Sequence, residues 1–141
     1  MTSTMRSSTR SALAGLMVVS LAGTADVGQF LVTRTAMFTD APGRAAGSVL
    51  GLLLWLALFL VAVSRYRNGD QRATRAATLG LVGLVAMGNV GLTLIHMKAG
   101  IGGWRPMLGG GLGAVALILG AVSLASSRPA DEVTRRLAAD K

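Results

Sequence analysis

Residues 12–33 form an almost unbroken apolar run with Asp26 and Gln29 set inside it. At about 1.5 Å per residue, such a run covers about 33 Å as an α-helix, enough to cross the hydrocarbon core of a bilayer. Three runs of similar length follow, at 45–64, 76–97 and 105–126. Backbone amides in hydrocarbon must bond within their own segment, so these runs predict helices rather than strands or loops. The expected fold is all-α: a polytopic membrane protein with four transmembrane helices in two antiparallel hairpins. The bundle occupies 12–126, between a polar N-terminal tail (1–11) and a charged C-terminal tail (127–141).

Composition agrees with a membrane chain. Only 14% of residues are charged, and mean hydropathy is +0.58, whereas soluble domains carry about 25% charge. Cysteine is absent and there is a single histidine. That excludes a disulfide framework, a thiolate nucleophile and a multi-histidine metal site within one chain. The net charge of +8 comes from basic residues lying between the apolar runs, with no basic face carrying interleaved aromatics. Nucleic acid is therefore not an expected partner; the lipid bilayer is, because these charges read as a topology signal and attract anionic headgroups.

The same charges orient the chain. The N-terminal tail, the 65–75 connector and the C-terminal tail hold ten Lys and Arg, and the 34–44 and 98–105 segments hold four. The positive-inside bias places both termini in the cytoplasm, in a bacterial cytoplasmic (inner) membrane. Tyr66 and Trp104 then fall at the inner and outer interfaces. Trp55, near mid-bilayer, is expected to face lipid or a neighbouring chain. The first run resembles a signal peptide with Gly23-Thr24-Ala25 as its cleavage site. It continues through Val27, Phe30, Leu31 and Val32, longer than such a segment needs, so an uncleaved helix is expected. Asp40-Ala41-Pro42-Gly43 and Asn68-Gly69-Asp70 read as turns, Pro106 suits a first helical turn, and Val133 and Leu137 suggest a short amphipathic helix in the tail.

The two hairpins align with each other. Asp26-Val27-Gly28 matches Asn89-Val90-Gly91, and Gly47-x-x-x-Gly51 matches Gly109-x-x-x-Gly113. Duplication would give a parallel repeat about an axis along the membrane normal. Both Gly-x-x-x-Gly motifs read as helix-packing faces, whether within the chain or against another, and Gly109-Gly110-Gly111 lacks the lysine of a phosphate loop.

Intramembrane polar residues are the candidate site. Asp26 and Gln29 share a stripe of the first span, and Asn89, Thr93 and His96 share one of the third. Polar groups in a bilayer are expected to turn inward, so Asp26 and His96 at comparable depth are expected to meet, supported by the other three. Such a cluster is either a clasp between the first and third spans or a protonatable pair. His96 is also the candidate cofactor ligand. A heme would need a methionine, a second copy or a partner protein as its other ligand, and a quinone would need only an acid or base. No cofactor, metal or catalytic set is predicted.

The segments Gln29-Phe30-Leu31-Val32, Ala36-Met37-Phe38 and Arg44-Ala45-Ala46-Gly47 resemble a pattern in small uncharacterised four-helix membrane proteins of actinobacteria. The resemblance covers the first hairpin and agrees with the preference for arginine over lysine, twelve to two. Gly43 stands where those proteins often carry a histidine, so a role tied to that histidine does not carry over. The resemblance implies lineage and topology and no activity. The function expected is a non-catalytic accessory subunit of a larger inner-membrane complex, respiratory or otherwise energy-converting, packed against other membrane subunits or itself. The alternatives are a small proton-coupled homodimeric transporter using Asp26, and a quinone- or heme-binding module using His96.

Overall fold

A computed structural model of the chain describes residues 5–100, 103–126 and 137–140. The helices are α1 (Ser7–Thr33), a single turn α2 (Met37–Asp40), α3 (Pro42–Asn68), α4 (Arg72–Lys98) and α5 (Trp104–Ser126). All but α2 are long and apolar enough to cross a membrane, and no strand occurs among the described residues. The 27 residues of α1, α3 and α4 give each a length of about 40 Å, longer than the roughly 30 Å hydrocarbon core.

Each helix therefore runs past its apolar stretch into the depth where water can meet the last turns. Residues 7–11, expected as tail, belong to α1. Thr9 there is 1% exposed, and its hydroxyl shares a 2.8 Å hydrogen bond with Ser126 of α5. Residues 65–68 and 72–75, expected as connector, extend α3 and α4. The Asp40–Gly43 turn is instead the junction of α2 and α3, with Pro42 opening α3, where its missing N–H costs nothing. Gly69 ends α3 at φ +81°, a left-handed conformation suited to glycine. The proposed tail helix through Val133 and Leu137 lies largely outside the described residues.

Around the bundle, α1 packs on α3 and α5, and α4 packs on α3 and α5, while the backbones of α1 and α4 lie across from each other and stay apart. The α4–α5 and α1–α3 seams are the most extensive, and α3 and α4 touch least. The core is Leu16, Trp55, Leu58, Ala62, Val82, Val85 and Ala116. Lipid tails are as apolar as leucine, so close packing rather than water exclusion must hold these helices together. Glycines supply it. A β-carbon at Gly23 would overlap the Trp55 indole, one at Gly113 would press on Asn89, and one at Gly120 on Val82. Trp55 is 1% exposed in the centre of the bundle, not turned to lipid or a neighbour as expected. The socket at Gly23 is the reason.

The end of the bundle that carries the termini is closed by a buried arginine. Arg65 of α3 is fully buried. Its Nη2 lies 3.0 Å from Asp70 Oδ1, and its Nη1 donates to the hydroxyls of Thr78 on α4 at 3.2 Å and Ser123 on α5 at 3.1 Å. Thr78 and Ser123 in turn donate to the carbonyls of Thr74 and Gly120. Arg75 stands 3.6 Å from the other oxygen of Asp70. One guanidinium thus ties three helices and their connector, with every buried side-chain polar atom among the described residues satisfied.

Candidate functional site

The opposite end is open. A cavity of about 710 Å³ lies between the end of α1, the loop through α2, the start of α3, the end of α4 and the first turn of α5. Its charged and aromatic lining is Phe30, Arg34, Arg44, His96, Trp104 and Arg105, and no carboxylate among the described residues lines it. Arg34 and Arg105 both stack on Phe30, at 5.8 and 5.5 Å from the ring centroid. No described acidic residue forms an ion pair with Arg34, Arg44 or Arg105. The nearest acid along the chain, Asp40, accepts a hydrogen bond from the Thr39 hydroxyl. This is a cationic basin with an aromatic floor, chemistry suited to an oxyanion.

The polar residues singled out from sequence divide into two groups. Asn89, Thr93 and His96 lie on the inner stripe of α4. Thr93 donates to the Asn89 carbonyl at 2.9 Å and approaches the Pro106 carbonyl of α5 at 2.6 Å. The Asn89 amide donates to Val85 at 2.8 Å, and His96 Nδ1 is 2.7 Å from the Leu92 carbonyl. The clasp that forms joins α4 to α5, with Gly110 and Gly113 giving Thr93 and Asn89 their room and Gly109 lying beside Asn89.

Asp26 and Gln29 are elsewhere. The inward stripe of α1 is Leu13, Leu16, Ser20, Gly23 and Leu31, and the Asp26 stripe lies about 90° round the helix from it. Gly15 meets Leu119 on the α5 side. Asp26, about three turns further on, falls on that same flank. It is half-buried, Gln29 is exposed, and neither side chain has a partner among the described residues. No hydrogen bond or ion pair joins Asp26 to His96 among the described residues and the backbones of α1 and α4 stay apart, so their expected meeting does not occur. The centre of the bundle is taken by Trp55, and polar residues on α1 find their place outside it.

Gly47 and Gly51 pack against no other helix among the described residues. Nothing outside their own helix comes within 4 Å of a β-carbon placed on either. Gly47 is 18 residues, about five turns, before Arg65, so both point the same way, toward α4. Arg65 meets Thr78 there, and Gly47 meets open space. Sequence reasoning counted Arg34, Arg44 and Arg105 only as loop charges and Arg65 only as connector. The signal available was the paucity of acids near the first three. Comparison with protein-family models, curated proteins and solved structures finds no match.

Proposed function

We propose that this chain is a non-catalytic subunit that packs beside other membrane proteins in a larger bacterial inner-membrane assembly, with both termini cytoplasmic and its spans forming two hairpins. The observation that carries the reading is Asp26, a half-buried carboxylate on the α5-side flank of α1 with no partner among the described residues. It lies seven residues, about 10 Å, short of the helix end. Asp in a span costs about 2.5–3.5 kcal/mol at mid-bilayer, falling toward the interface. Exposed Gln29 one turn further on makes the flank polar rather than lipid-like, so a polar residue from a neighbouring chain is the natural complement. The test is affinity purification of the full chain from its native membrane in mild detergent, with mass spectrometry and a visible spectrum. Other membrane proteins at fixed stoichiometry are expected, and Asp26→Asn or Gln29→Leu is expected to lose them. A colourless, solitary homodimer would replace the reading with proton-coupled transport through Asp26, and a Soret band would replace it with heme ligation at His96.

The orientation is separately testable. Ten basic residues against four favour Asn68 inside and Asp40 outside. In intact cells, a cysteine at Asp40 is expected to react with a membrane-impermeant thiol reagent, and one at Asn68 only after lysis. The reverse pattern inverts the chain.

A further inference from the structure

We propose that the cationic basin and the uncovered glycine face of α3 together hold one anionic phospholipid, its phosphate among Arg34, Arg44 and Arg105 and an acyl chain along Gly47 and Gly51. Three features carry this. The first is charge. The described lining residues gather three guanidinium groups and His96 with no carboxylate, and two of those guanidinium groups share one phenyl ring. Like charges brought together this way repel until an anion lies between them, and arginine's planar fork matches phosphate oxygens two at a time. The second is shape. About 710 Å³ is ample for a glycerophosphate headgroup and falls in the usual range of ligand sites, about 300–1,000 Å³.

The third is what lies below. The face of α3 that carries Arg65 reads Gly47, Gly51, Trp55, Leu58, Ala62 and Arg65. Its lower four members are buried, and its upper two meet nothing. Between the basin and Trp55, α3 therefore carries two glycines that no other helix covers. A free anion would use the arginines and leave that uncovered face idle. A double-tailed phosphate uses both, and the basin sits at the end of membrane-crossing helices, where headgroups lie. Trp104, 72% exposed at the rim, is placed as an interfacial anchor.

The experiment takes the full chain in nanodiscs of phosphatidylcholine with or without phosphatidylglycerol, and reads retained lipid by native mass spectrometry and melting temperature. One phosphatidylglycerol per chain, with a raised melting temperature, is expected. The combined Arg34→Gln, Arg44→Gln and Arg105→Gln variant removes about 1 kcal/mol of surface attraction per charge, so it should bind this lipid about a hundredfold more weakly. Gly51→Leu fills open space and should fold, yet it should also expel the lipid while leaving the arginines in place. Equal retention of both lipids, or full retention by the triple variant, overturns the proposal. So does equal stabilisation by inorganic phosphate alone, which would mark a free-anion site, and so does retention by Gly51→Leu, which would leave the glycine face without a role. None of these outcomes depends on whether the chain has protein partners.

Discussion

Asp70→Ala is expected to destabilise the bundle by about 3–5 kcal/mol, more than Arg65→Met does, although both break the same ion pair. The asymmetry follows from what each change leaves behind. Without Asp70, Arg65 stays fully buried among Thr78, Ser123 and the Ser123 carbonyl. Those groups take up donors on Nη1 and Nη2, but Nε, which donates to Asp70 alone, and the charge are left without a partner. Without Arg65, the hydroxyls of Thr78 and Ser123 keep their own backbone acceptors. Asp70 keeps Arg75 at 3.6 Å and some access to water. Methionine fills much of the vacated volume, and unbranched side chains adapt to irregular space. Urea or thermal unfolding in one detergent, with helicity followed by circular dichroism, gives the order directly. If Arg65→Met is the more damaging, Arg65 acts through its hydrogen bonds to α4 and α5 rather than through neutralised charge.

The four spans were legible in the sequence because a bilayer imposes one length and one backbone solution on any segment that crosses it. Helix ends were not, because polar residues such as Ser7, Arg67 and Arg72 continue a helix at no penalty once it reaches the interface. The inward faces were harder still. With apolar residues on every side, periodicity separates core from lipid poorly, and the remaining clue, that polar residues point inward, holds for Asn89 and Thr93 and fails for Asp26. What decides between them is steric: Gly110 and Gly113 admit side chains from α4, whereas α1 spends its inner glycine, Gly23, on Trp55. The basin was hidden for a different reason. Arg34, Arg44 and Arg105 are far apart in sequence, and loop charges report orientation and assembly in the same residues. Only the fold shows that they converge.

Gly23 and Trp55 make the second large effect, and their coupling says more than either alone. Trp55→Ala should cost about 3–5 kcal/mol, since it removes the largest fully buried side chain and leaves a cavity that its neighbours only partly fill. Gly23→Ala should cost about 1–3 kcal/mol by overpacking. A β-carbon there would lie on the fused-ring bonds of the indole rather than at the tip of a flexible chain, so relief requires α1 and α3 to separate. The helices meet by close packing alone at this seam, and separation also loosens Leu16 and Leu58 beside it. In the double variant the added methyl points into the space that the indole vacated, and the clash disappears. The pair should therefore be less destabilised than the sum of the single changes by about 1–3 kcal/mol. Unfolding of the two single variants and the double in the same detergent measures it. Strict additivity would mean that the indole does not sit on Gly23, and the packing of α1 on α3 would have to be redrawn around a different contact.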